Sequence, residues 1–182
     1  MAFHRFFLAT FAVTFSLVAC NTNDLPSAPS SLNSRYTDEK PSISGNGRYL
    51  ALVSNRDGQH NILMYDLQLL RFIPLPYLNR GDAIADSPGI SYNGRYIVYI
   101  ASDQGRAELQ LYDRVTQRNQ ILSTGYRGWI RSPSISPDGR YIVFESGYRG
   151  QWDVEMVDRG PDVELDLPQG FPVEPSSSQP NS

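Results

Sequence analysis

Tyrosine, tryptophan and arginine occur together in two short segments of the chain. Residues 125–129 read Gly-Tyr-Arg-Gly-Trp, and residues 147–152 read Gly-Tyr-Arg-Gly-Gln-Trp. These side chains dominate the energy of binding interfaces because they combine a large apolar surface with directed hydrogen bonding. The pattern predicts a surface that binds a partner, built from Tyr126, Arg127, Trp129, Arg131, Tyr148 and Arg149.

A structural alternative uses the same residue types inside the fold. In this alternative the two tryptophans, Trp129 and Trp152, pack between neighbouring sheets. The arginines then pair with the carboxylates of Asp86, Asp103 or Asp153. The sequence leaves both interpretations open.

A run of carboxylates near the end of the chain is the main candidate for catalysis or metal binding. Residues two apart on a strand share a face, so such a run could supply paired carboxylates or Ca²⁺ ligands. The spacing lacks the Gly-centred turn of known cation loops, which favours a solvated strand face. With one Cys the chain cannot form a Cys-rich zinc site, and with two His a metal centre would have to rest mostly on carboxylates. We therefore expect a protein that is not an enzyme and needs neither metal nor cofactor. The run comprises Asp153, Glu155, Asp158, Asp162, Glu164 and Asp166.

The overall charge argues against one large class of partner. The chain has 16 Lys and Arg against 19 Asp and Glu, for a formal net charge of −3. This balance offers no broad attraction for a phosphate backbone, so we expect no nucleic-acid partner. With 40% hydrophobic and 19% charged residues, the composition is that of a folded globular protein.

Residues 1–19 have the form of an export signal, with a basic start and an apolar run at 6–19. This run is too short to span the ~30 Å hydrocarbon core at ~1.5 Å per residue, so we expect a cleaved signal rather than a retained helix. The sequence Leu-Val-Ala-Cys that ends at Cys20 resembles the lipobox of bacterial lipoproteins. The resemblance implies that Cys20 is acylated and becomes the mature N-terminus. The alternative is an ordinary secretory signal with an incidental Cys.

Two further segments are predicted to lie outside the folded part. Residues 20–40 are rich in Asn, Ser and Pro and predict a flexible tether, for which a reach of roughly 25 Å is expected. Residues 169–182 predict a disordered tail. Together with the lipidated Cys20, these features place the domain at the cell envelope, anchored in a membrane and facing the periplasm. Asn21 favours the outer over the inner membrane.

Internal repetition is the strongest pattern in the sequence. Nine of 36 aligned positions are identical in three consecutive units, and the alignment needs no gap. The units cover residues 41–87, 88–132 and 133–168 and begin at Pro41, Pro88 and Pro133. Each unit contains Asn-Gly or Asp-Gly followed by Arg-Tyr. This repetition indicates tandem duplication of one small structural element.

Each unit predicts four short antiparallel strands. The Asn-Gly or Asp-Gly pair forms a tight turn between the first two strands. The second strand is nearly all apolar, as expected for a strand covered on both faces. A weaker fourth strand is expected near Leu75, Leu122 and Leu167. Four antiparallel strands every ~45 residues form the blade of a β-propeller, so the predicted fold class is all-β with three four-stranded blades, a partial propeller.

The third unit resembles the TolB-type propeller repeat most fully, at residues 136–146, which read Ser-Pro-Asp-Gly-Arg-Tyr-Ile-Val-Phe-Glu-Ser. Residues 44–54 and 91–101 resemble it less fully. Proteins of the TolB family have a six-bladed propeller behind an N-terminal α/β domain and act as periplasmic partners of envelope complexes. This chain has three units, and a tether stands in place of that domain.

Three blades do not close a ring of ordinary geometry, because propellers close with four to eight. A homodimer could complete a six-bladed ring by joining the apolar faces of the terminal blades. An open wedge with polar end caps is the other arrangement, and Glu145 and Glu155 in the third unit favour it. A third arrangement has another polypeptide supply the missing blades.

These observations predict a lipid-anchored propeller module that binds an envelope protein. The alternative is a carbohydrate-binding or carbohydrate-active propeller, in which Tyr126, Trp129 and Tyr148 stack on sugar rings.

Overall fold

The computed structural model describes residue 32 and residues 34–103 and 105–168. The expected signal, Cys20 with its expected lipidation, and the expected tail at 169–182 lie outside these residues. Throughout the described part the regular structure is β-strand, and no helix there is long and apolar enough to cross a membrane.

Eleven strands form three antiparallel sheets, and the strands of each sheet are neighbours in chain order. Blade 1 comprises β1 (Asp38–Ile43), β2 (Tyr49–Ser54), β3 (Asn61–Asp66) and β4 (Arg71–Ile73). Blade 2 comprises β5 (Ala83–Ile90), β6 (Tyr96–Asp103), β7 (Arg106–Asp113) and β8 (Arg118–Ile121). Blade 3 comprises β9 (Ile130–Ile135), β10 (Tyr141–Ser146) and β11 (Asp153–Asp158).

The predicted fold class, an all-β chain of three antiparallel propeller blades, is confirmed. The structure differs from the prediction at both ends of the repeated region. Blade 3 has three strands within the described residues, and the segment near Leu167 does not form its expected fourth strand. At the other end, β1 begins at Asp38, so the last residues of the expected tether belong to blade 1.

The core lies in two layers, one on each side of blade 2. Because side chains alternate along a strand, β6 contributes to both layers. Ile97 and Tyr99 face blade 1, where they pack with Met64. Tyr96 and Val98 face blade 3 and belong to the other cluster. This position between two sheets explains why the second strand of the repeat is nearly all apolar.

The repeated Arg and Asp residues hold each blade together internally. In every blade the Arg after the turn forms an ion pair with the Asp that ends the third strand. The same guanidinium lies over the ring of the next residue, a Tyr, with 4.9–5.0 Å between the guanidinium carbon and the ring centroid. The pairs are Arg48 with Asp66 (2.8 Å), Arg95 with Asp113 (3.1 Å) and Arg140 with Asp158 (2.8 Å).

Residues 161–168, here called the C-terminal strap, run to blade 2 instead of pairing with β11. The buried carboxylate of Asp166 accepts hydrogen bonds from the Ser91 hydroxyl (2.6 Å) and the Asn93 backbone N–H (2.7 Å). In blades 1 and 3 the corresponding serine hydroxyl donates to the side chain of the turn itself, Asn46 or Asp138. The strap therefore supplies blade 2 with an acceptor that the other blades provide locally.

Candidate partner-binding surface

Two loops carry the Tyr-Arg-Gly segments, and the structure brings them together. One loop connects β8 to β9, and the other connects β10 to β11. The backbone N–H of Gly147 donates a hydrogen bond to the carbonyl oxygen of Trp129 (2.8 Å). At Gly128 a Cβ atom would lie 2.9 Å from the Cα of Tyr148, so the close contact between the loops depends on glycine there.

Tyr126 is the internal anchor of this arrangement. Its ring packs edge-on against Phe144, with 5.9 Å between centroids, and its hydroxyl bonds to Ser146 and donates to Glu155 (3.0 Å). Desolvation raises the pKa of the Tyr126 hydroxyl. Tyr126 therefore fixes the loop on blade 3, and its half-buried ring is only partly available to a partner.

Five of the six predicted residues are exposed to solvent, and four of them lie on the two loops. Trp129 is 70% exposed and Tyr148 is 63% exposed, and the side chains of Arg127 and Arg149 are exposed beside them. Large side chains held on a well-packed scaffold in this way are typical of binding surfaces. We call Arg127, Trp129, Tyr148 and Arg149 the loop patch.

Arg131 lies apart from the loop patch, on the face of blade 3 that points away from blade 2. Its guanidinium donates to Glu145 (2.7 Å) and lies over the ring of Trp152, 3.7 Å from the centroid. The hydrogen bond from Arg131 holds the pKa of the Glu145 carboxyl below its usual range. Arg131 is thus engaged within its own blade.

The structural alternative for the two tryptophans is wrong. Trp129 is mostly exposed and Trp152 is 48% exposed, so neither is buried between blades. The expected aspartate partners are occupied differently: Asp86 binds Lys40 (2.6 Å), and Asp153 accepts from the Gln151 side-chain amide (3.0 Å). The side chain of Asp103 lies outside the described residues.

Two cavities flank Arg127. One, of about 270 Å³, lies between the loop patch and the turn that begins β7, and Arg106 and Trp129 are among its lining residues. The other, of about 440 Å³, is lined by Tyr126, Tyr148 and Glu155, with Arg127 between the two cavities. Together they give the loop patch an uneven surface into which partner side chains could insert.

Arg106 and Glu155 belong to this surface but were not among the predicted binding residues. The guanidinium of Arg106 donates to the carbonyl oxygen of Tyr126. The sequence does carry a signal for Arg106, because it follows Gly105, one of the glycines repeated in all three units. Glu155 was expected as a polar end cap and as part of the acidic run, but no sequence signal predicts its contact with the distant Tyr126.

The acidic run is dispersed by the fold. Asp158 pairs with Arg140, whose hydrogen bond lowers the pKa of Asp158 to about 2. Glu164 pairs with Arg95 (2.7 Å), and Asp166 is held by blade 2. Among the described residues, no three His, Cys, Asp or Glu side chains gather in a way that could hold a metal ion.

No protein-family model and no curated protein matches the sequence, whereas solved structures match the fold. TolB from Acinetobacter baumannii superposes with a TM-score of 0.61 at 22% identity, over 71% of this chain and 32% of that one. The putative TolB from Agrobacterium tumefaciens gives 0.54 at 22% identity, over 76% and 51%. A puromycin-hydrolyzing peptidase from Mycobacterium tuberculosis gives 0.53 at 17% identity, over 78% and 22%.

These matches define the class of fold as a TolB-like β-propeller. The chain spans about a third to a half of the length of the two TolB structures. It therefore corresponds to part of a propeller, in agreement with its three blades.

Proposed function

We propose that this chain is an exported, lipid-anchored propeller module that binds a protein partner at the bacterial cell envelope. The observation that carries the proposal is the loop patch, in which Trp129, Tyr148 and two arginines are exposed on loops that are hydrogen-bonded to each other. Aromatic and arginine side chains of this kind are the usual anchors of protein interfaces.

The fold and the charge distribution support binding rather than catalysis. The carboxylates that could have formed a paired catalytic site are engaged in structural contacts, as Asp158 is with Arg140 and Glu164 with Arg95. The TolB-like fold favours the cell envelope as the location, because the resemblance links this repeat to periplasmic proteins. The lipobox-like sequence at Cys20 favours attachment to a membrane.

The membrane anchor has its own test. Replacement Cys20→Ala should move the chain from the membrane fraction to the soluble periplasmic fraction, because the acyl chains are the expected attachment. Mass spectrometry of the mature N-terminus should find a lipidated Cys20 in the unmodified chain. An unmodified cysteine there would leave the ordinary secretory signal as the explanation.

Capture of partners from detergent-solubilised membranes tests the loop patch. The variant with Arg127→Ala and Trp129→Ala should lose the bound protein, since it removes both charge and apolar area from the patch. A matched control carries Arg118→Ala and Tyr77→Ala, which also removes an exposed arginine and an exposed aromatic residue. The control should retain the partner.

The outcome separates the proposed function from the carbohydrate alternative. A protein that is retained by the control and lost from the patch variant supports the interaction module. Retention on peptidoglycan or glycan resin without a protein partner would favour sugar binding. A partner that still binds the patch variant would contradict the assignment of this surface.

A further inference from the structure

The outer edge of β11 differs from the same edge in the other two blades. In blades 1 and 2 the third strand pairs on its outer side with β4 or β8. In blade 3, β11 pairs with β10, and no strand of the described residues covers its other side. An uncovered strand edge presents backbone N–H and C=O groups that can pair with an added strand.

The repeat register explains why the chain does not fill this position itself. In blade 2, Gln110 of β7 lies opposite Ile121 of β8. The equivalent residues 45 positions later are Glu155 and Asp166. A fourth strand in that register would place two carboxylates directly opposite each other, which is destabilising.

The strap is also held firmly elsewhere. Asp166 is 6% exposed and bonds to the turn of blade 2, and Glu164 forms an ion pair with Arg95 (2.7 Å). In addition, the backbone N–H of Asp166 donates to the carbonyl oxygen of Asp138 (2.8 Å). These contacts hold the strap against the turns that join the first two strands of blades 2 and 3. The edge of β11 is therefore left open.

The chemistry of β11 indicates the kind of strand that would fit. On the face of blade 3 that points away from blade 2, Val154 is 76% exposed and Met156 is 62% exposed. On the other face, Glu155 borders the cavity of about 440 Å³ beside the β8–β9 and β10–β11 loops, and Val157 borders one of about 510 Å³ between β11 and β8. An added strand would lie along these cavities.

We propose that β11 binds an extended segment of a partner protein as an antiparallel fourth strand, with basic residues opposite Glu155 and apolar residues beside Val154 and Met156. Charge selects this occupant over a second copy of the chain. Three of the six residues of β11 are acidic and none is basic, so two copies of β11 would repel each other. The inference rests on the proposed role as an interaction module. The β11 edge adjoins the loop patch and shares the 440 Å³ cavity with it, whereas Trp129 does not line that cavity.

Two fluorescently labelled peptides test this assignment on the detergent-solubilised full chain. One alternates valine with lysine, and the other alternates valine with glutamate. Fluorescence anisotropy should show that the basic peptide binds at least about tenfold more tightly. Hydrogen exchange should show slower exchange of backbone amides in 153–158 when the basic peptide is bound.

A charge-reversal variant tests whether Glu155 selects the basic peptide. Glu155→Lys should lower the preference for the basic peptide by at least about tenfold. Glu39→Lys makes the same charge change on β1 and should leave the preference unchanged. Hydrogen exchange on the unmodified chain keeps the test valid even if Glu155→Lys impairs folding.

Three results would overturn the proposal: equal binding of the two peptides, no binding of the basic peptide at about 1 mM, or protection outside 153–158. A dimer in which amide exchange slows in 153–158, with neither peptide bound, would assign the edge to a second copy and also overturn it. Trp129→Ala should leave peptide binding intact while it weakens capture of the native partner. Failure at the β11 edge is therefore distinguishable from failure of the loop patch.

Discussion

At the scale of single residues, the blades use their repeated polar side chains for internal contacts. The hydroxyl oxygens of Ser44, Ser91 and Ser136 each accept a hydrogen bond from the backbone N–H five residues later, at 2.9 Å. In addition, the serine hydroxyl donates to a nearby oxygen in every blade. Only in blade 2 does that oxygen come from a residue far away in the chain, Asp166.

Removal of this acceptor should destabilise the fold. Asp166→Ala leaves the Ser91 hydroxyl and the Asn93 N–H without their partner, and the loss of a buried acceptor costs about 1–3 kcal/mol. Denaturant unfolding measured by circular dichroism should show a decrease of that size in the free energy of unfolding. Asp162→Ala, an exposed carboxylate on the same strap, should change it little. Equal effects of the two variants would contradict the role given to Asp166.

The pKa of Asp158 predicts a dependence of stability on acid pH. Because Arg140 lowers this pKa to about 2 in the folded chain, the folded state binds fewer protons than the unfolded state at mildly acidic pH. The resulting stabilisation is complete above the unfolded pKa, near 4, and is lost as the pH falls towards about 2. Thermal melting from pH 6 to pH 2, in steps of about one unit, measures this loss. Asp158→Asn should show a smaller decrease in melting temperature over that range than the unmodified chain.

At the scale of elements, the position of the loop patch is set by contacts between two loops. The β8–β9 and β10–β11 loops are tied together at Gly147 and Trp129 and anchored through Tyr126. The loop patch therefore depends on the distance between a loop that joins blade 2 to blade 3 and a loop within blade 3.

Gly128→Ala should disturb this spacing. Its new methyl group would lie 2.9 Å from both the Cα of Tyr148 and the ring of Tyr126, so the loops would have to separate. Overpacking of this kind costs about 1–3 kcal/mol, and partner capture should weaken as well. The matched control is Gly81→Ala, where a Cβ would meet nothing within 4 Å and φ is not positive. Denaturant unfolding and capture should both remain near normal in the control.

At the scale of the whole molecule, the blades form a partial propeller in which blade 3, a terminal blade, has an exposed apolar face. Large apolar side chains on blade 3 face away from blade 2 and are exposed in the described structure, namely Tyr141, Val143, Val154 and Met156. An apolar area of this kind on a terminal blade is suited to a ring-closing contact with a second copy. Such a contact uses the face of blade 3 and leaves the outer edge of β11 accessible.

The ring-closing homodimer remains a prediction, and sedimentation equilibrium measures it. The chain without Cys20 should sediment with twice the mass of one copy. Val143→Glu should yield single copies, because it places a charge within the contact. Val115→Glu, at an exposed position between β7 and β8, should remain dimeric. A single-copy mass for the unmodified chain would contradict the ring and favour the open wedge.

The sequence by itself determined the repeating unit. Strand periodicity, the Asn-Gly and Asp-Gly turns and the repeated Arg and Asp residues act over fewer than about 20 residues, so each unit encodes its own blade. The sequence also predicted the proximity of the two Tyr-Arg-Gly loops. Successive connections of an antiparallel blade alternate between its two ends, so the loop before β9 and the loop between β10 and β11 lie at the same end.

The tertiary structure alone decided what happens where the units meet. The strap continues the repeat pattern through Leu167, yet Asp166 bonds to Ser91, 75 residues earlier, because that contact satisfies a buried carboxylate whereas pairing beside Glu155 would oppose two negative charges. Arg131 likewise turned to Glu145 and Trp152 on the far face of its blade. Such choices depend on competition between partners that are distant in the chain, and no local pattern of residues records the result.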